Sequence, residues 1–130
     1  KYEPLSSYDS QNNVLKVECS GPYQVSKIIV PNHGIDNITS ITIKVKICSP
    51  VVGWNEFNVF SLNKDFSADW TIGSRHFFNY TNEQWMEFTI TDVSDLIVDG
   101  SFDGFYFVSF GGDQATTTYF AEVVVSGSYA

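Results

Sequence analysis

The stretch Ser40-Ile41-Thr42-Ile43-Lys44-Val45-Lys46-Ile47-Cys48 alternates without a break between apolar and polar side chains. In an extended chain successive side chains point to opposite faces. Ile41, Ile43, Val45 and Ile47 therefore share one face, with Thr42, Lys44 and Lys46 on the other. The stretch predicts a β-strand with one buried and one wet face.

The same period of two runs outward from this strand in both directions. Residues 13–19 and 23–30 form an earlier pair of strands, interrupted by Ser20-Gly21-Pro22, and the Pro-, Asn-, Gly- and Asp-bearing segment 31–37 reads as a loop. Later strands are expected at 56–62, 70–78, 85–91, 102–110 and 117–126, separated by polar loops at 49–55, 63–69, 79–84 and 111–115. Residues 92–96 suit one helical turn, and Asp99-Gly100 and Asp103-Gly104 suit tight turns. About eight short strands at this spacing predict an all-β fold, a two-sheet antiparallel β-sandwich of the jelly-roll kind. No long helix, repeat or low-complexity linker interrupts the pattern, and the strand-like termini put both ends close to a domain boundary.

Composition narrows the function. A length of 130 residues suits a single domain spanning 1–130, and a 43% hydrophobic content suffices for one core. No apolar run approaches the roughly 18 residues of a membrane span. The chain starts at Lys1 with no basic-then-apolar leader, so any secretion signal is expected to have been removed. The net charge of −8 disfavours nucleic acid and anionic lipid as partners. An aromatic content of 16% is more than a core of this size needs, so some rings are expected on a contact surface. Cys19 and Cys48 fall on opposite strand phases, which speaks against a disulfide, whereas a secreted location would favour one. The pairing stays open. Two glycosylation sequons, Asn37-Ile38-Thr39 and Asn79-Tyr80-Thr81, matter only in a eukaryotic secretory pathway.

Catalytic patterns are thin. His33 lies in a turn and His76 in an expected strand beside Arg75, where a hydrogen bond to a ligand is as good a reading as proton transfer. No nucleophile elbow, zinc-protease helix or phosphate loop occurs. The densest acidic set, Asp92, Asp95, Asp99 and Asp103, lacks the spacing of a calcium loop and suits caps and turns better. No cofactor is expected, although the architecture leaves room for a structural calcium between Glu3 and Glu122.

The tryptophans carry the functional signal. Trp54 and Trp70 border polar loops at strand entries. Trp85 shares its phase with Glu87 and Thr89, opposite Met86, Phe88 and Ile90, which turns it away from the core beside a carboxylate. Partial burial is the commoner fate of tryptophan, and a ring at a strand start can equally pack on a neighbouring loop. Sugar rings, however, stack their C–H faces on aromatic planes, while their hydroxyls pair with Asn, Gln, Asp and Arg. In 105–110 one phase must fill the core, and the other could bring Tyr106 and Phe110 to a ligand face with Asp113 and Gln114 at its rim.

With these residues assembled, the chain resembles the jelly-roll carbohydrate-binding modules of plant-cell-wall-degrading enzymes that bind β-1,4-glucans, xyloglucan or mixed-linkage glucan. The resemblance rests on Gly53-Trp54-Asn55 with Asp69-Trp70-Thr71, on Gln84-Trp85-Met86-Glu87-Phe88-Thr89-Ile90, and on 105–112 followed by Tyr119-Phe120-Ala121-Glu122. Where the family often carries paired tryptophans before a glycine, this chain has Ser109-Phe110-Gly111. The resemblance implies a secreted, monomeric, non-catalytic module that binds polysaccharide through Trp70 and Trp54, with Tyr106, Phe110, Trp85, Arg75, His76, Gln114 and Asp113 in supporting roles. Such a module is covalently attached to a catalytic or scaffold module. Two other expectations stand beside it: an extracellular adhesion or scaffold domain whose rings bind a protein partner, and a small glycan-active enzyme.

Overall fold

The computed structural model describes residues 5–9 (as backbone), 13–21, 24–30, 34–49, 55–66, 75–111 and 114–128. Within them run β1 (Leu5–Asp9), β2 (Val14–Cys19), β3 (Ser26–Ile29), β4 (Asn37–Cys48), β5 (Asn55–Phe60), β6 (His76–Asn79), β7 (Trp85–Ile90), β8 (Gly104–Gly111) and β9 (Thr116–Ser128), with one 3-10 turn, η1 (Ser94–Leu96). They form a five-stranded sheet of order β1-β2-β9-β4-β7 and a four-stranded sheet of order β3-β8-β5-β6. Every pairing is antiparallel. Apart from the β1–β2 and β5–β6 hairpins, consecutive strands cross from one sheet to the other. The expected β-sandwich is therefore present.

The opening stretch behaves as its alternation demands. Ile41, Ile43, Val45 and Ile47 are buried and face Phe57 and Val59 of β5 and Phe105 and Phe107 of β8, while the intervening residues stay half-buried on the outside. Phe57 lies at the centre of this core, with ring centroids 5.7 Å from Phe88, 5.8 Å from Phe107 and 6.2 Å from Phe120. Phe78 stacks on Phe88 at 4.6 Å and ties the edge strands of the two sheets together. Truncating a buried ring of this kind costs roughly 3–5 kcal/mol.

Three local features depart from the sequence expectations. β4 begins at Asn37, in the expected loop, because Asn37 and Ile38 pair with Ser128 and Gly127 of β9. The aromatic and valine-rich run of β9 changes phase at a bulge, where the register steps from Glu122 opposite Lys44 to Phe120 opposite Val45. Phe120 before the bulge and Val123 and Val125 after it therefore all pack against one core. Finally, Asp103-Gly104 is the entry to β8 and not a turn. Gly104 has φ +144°, and a Cβ there would lie 2.0 Å from the Ile28 carbonyl oxygen, so only glycine lets β3 approach.

Asp99-Gly100 does form the expected turn. Both residues have positive φ (53° and 78°), and Val98 and Ser101 exchange backbone hydrogen bonds of 2.8 and 3.1 Å across it. Cys19 points into the core and Cys48 lies on the outer phase of β4, so both thiols are free.

Candidate functional site

The four-stranded sheet is apolar on both sides. Its inner phase fills the sandwich core, and its outer phase builds a second, smaller cluster of Phe60, Val108 and Phe110 with Val25, Phe66 and Tyr106 packed on it. Phe66 stands edge-on to Phe60 at 5.2 Å and to Tyr106 at 5.3 Å. Phe110 is on the outer face, as one of the two phases allowed, but is only 2% exposed. Its ring is spent on the protein's own packing, which corrects its expected role as a stacking platform. Tyr106 keeps partial exposure, with the Lys27 ammonium 6.0 Å from its ring.

At the β6 edge this face turns polar. Arg75, one residue before β6, donates through Nη1 to the Glu56 carboxylate and, at 2.6 Å, to Asn58 Oδ1. Its guanidinium also lies 4.5 Å from the ring centre of Phe77, which is 52% exposed. The register explains the cluster, since Asn58 pairs with Phe77 and Glu56 with Asn79, putting all four side chains on one side of the sheet. Asn58 is fully buried, and its Nδ2 finds no hydrogen-bond partner among the described residues. A donor left in that state costs about 1–3 kcal/mol. Glu56 and Asn58 are buried and hold Arg75, so the accessible part of the cluster is the Phe77 ring with the Arg75 guanidinium beside it.

His76 does not join this face. Strand parity turns it to the inner side opposite Val59, and its Nε2 meets both carboxylate oxygens of Asp95 at 2.9 and 3.1 Å. This contact ties β6 to η1. Gln114 is exposed in the β8–β9 connection. Trp54, Trp70, Asp113 and His33 lie outside the described residues, as does Glu3 of the expected calcium site. Among the described residues no group of three or more His, Cys, Asp or Glu could hold a metal ion.

Trp85 belongs to the other sheet. It is 42% exposed on the outer face of the five-stranded sheet and pairs with Lys46, which pairs in turn with Tyr119, and Tyr119 with Lys16. One straight row across four strands thus alternates ring and ammonium. The Lys46 Nζ lies 5.4 Å from the Trp85 ring and 4.9 Å from that of Tyr119. Lys16 donates to Glu18 at 2.7 Å, and this carboxylate holds its pKa above the ordinary lysine value. In the neighbouring row Lys44 stands between Glu87 and Glu122.

Arg75 and Tyr106 were legible in the sequence as candidates, whereas Glu56, Asn58, Phe77, Lys46 and Tyr119 were not. Their signal is the pairing register, which only the folded chain supplies. No protein-family model, curated protein or solved structure matches the chain.

Proposed function

We propose that the domain is a non-catalytic, secreted module that binds a neutral plant-cell-wall polysaccharide of the β-1,4-glucan type and keeps an attached enzyme near it. The observation that carries this reading is the Phe77 ring, exposed on β6 with the Arg75 guanidinium beside it, itself held by the buried Glu56 and Asn58. Sugar rings stack on the phenyl ring, and the Arg75 guanidinium fixes their orientation through hydroxyls. Trp54, the residue before β5, and Trp70, five residues before Arg75 in the chain, supply further stacking rings in this reading. Individual sites of this kind are weak, and attachment to a second module raises the effective concentration.

The test is affinity electrophoresis through gels containing xyloglucan, mixed-linkage glucan, xylan or mannan. Wild-type protein is expected to be retarded by at least one neutral β-glucan, and Phe77→Ala to weaken that retardation about tenfold or more, as loss of an anchoring ring does at other interfaces. Trp54→Ala and Trp70→Ala are expected to weaken it as well. Absence of retardation on every gel, together with a concentration-dependent assembly in sedimentation, would favour the adhesion reading.

A further inference from the structure

We propose that the outer face of the five-stranded sheet carries a second ligand site, in which the Trp85–Lys46–Tyr119 row takes a chain of acidic sugars bearing ring carboxylates, a polyuronate. The row runs across adjacent strands spaced about 4.8 Å, so the two rings, one strand to each side of β4, are about 10 Å apart. That separation is close to two sugar units of an extended chain, so alternate sugars can stack on the two rings while the sugar between them lies over Lys46.

The charges on this face select the ligand. Lys16 is already paired with Glu18. Lys44 is bracketed by Glu87 and Glu122 in the register. Lys46 makes no ion pair with a carboxylate among the described residues, and its ammonium lies between the Trp85 and Tyr119 rings. A neutral chain would offer this ammonium only hydroxyls, whereas a uronate offers a carboxylate at the point midway between the rings, a charge-assisted hydrogen bond. The overall charge of −8 acts beyond contact range and is screened within about 8 Å at physiological salt. This site is separate from the neutral-glucan face, because Phe77 and Arg75 lie on the other sheet.

The experiment is affinity electrophoresis and titration calorimetry with de-esterified polygalacturonate, with fully methyl-esterified pectin as the neutral control. Wild-type protein is expected to bind polygalacturonate and not the ester. Lys46→Met, which keeps the apolar stem and removes the charge, should weaken binding about tenfold with an unchanged urea midpoint, and so should Trp85→Ala and Tyr119→Ala. Phe77→Ala should leave it unaltered, which separates the fate of this site from that of the neutral-glucan face. Equal binding of acid and ester, insensitivity to Lys46→Met, or no binding of polygalacturonate by wild-type protein would each overturn the proposal. So would concentration-dependent dimerisation abolished by Trp85→Ala, which would give the row to a second copy of the chain.

Discussion

Asn82 holds the turn between β6 and β7 to the chain just after β4. Its Oδ1 accepts from the Ser49 amide at 2.7 Å, and its Nδ2 donates to the Ser49 carbonyl at 2.9 Å. A side-chain amide that copies the pairing of a strand neighbour in this way closes one end of the sandwich. Asn82→Ala is expected to lower unfolding free energy by about 1–3 kcal/mol, measured by urea denaturation. Asn82→Asp keeps the acceptor for the Ser49 amide but sets a carboxylate oxygen against the Ser49 carbonyl, so it should also destabilise. Buried Cys19 gives a pH test. Burial pushes its thiol up from 9.0 to about 11, so the folded state holds the proton more tightly than the unfolded chain does. The resulting stability is complete below pH about 9 and is lost as pH rises through about 11. Over that window the urea midpoint of wild type should fall, with about 2 kcal/mol of the loss absent in Cys19→Ala. Tyr80, donating to the Phe110 carbonyl at 2.8 Å and pushed up to about 12, adds a second loss at still higher pH.

Among the elements, those with one wet face were readable and those with two covered faces were not. β4 and β7 alternate cleanly because their outer residues meet solvent, so Ile41 to Ile47 and the outward turn of Trp85 followed from spacing alone. In β5 and β8 nearly every position is buried, since Phe60, Val108 and Phe110 pack outside the sandwich while Phe57, Phe105 and Phe107 pack inside. Periodicity carries no phase information in such strands. The bulge in β9 defeats it for a different reason, by inserting a residue that resets the alternation. The polar cluster was hidden because Arg75 reaches partners 19 and 17 residues away, and nothing local says that β5 pairs with β6 in that register. The β3–β8 contact is the element most open to a direct test. Gly104→Ala should cost roughly 2–3 kcal/mol by forcing its Cβ against the Ile28 carbonyl, and should raise amide exchange at Val30, which donates to Asp103 at 2.9 Å. Unchanged exchange at Val30 would show that the strands slide without penalty.

At the scale of the molecule, two sheets packed on one aromatic core leave two outer faces with different chemistry. The four-stranded sheet presents Phe77 beside an Arg–Glu–Asn cluster, and the five-stranded sheet presents rings alternating with lysines. A rigid sandwich can hold both because neither face is needed to close the core. Binding of a neutral polysaccharide at the Phe77 face is decided by quantitative affinity electrophoresis of wild type and Phe77→Ala on a xyloglucan and mixed-linkage glucan series. Wild type is expected to be retarded and the variant to lose about tenfold or more in affinity, with matched urea midpoints. Equal retardation of the two proteins, or none for either, would contradict it.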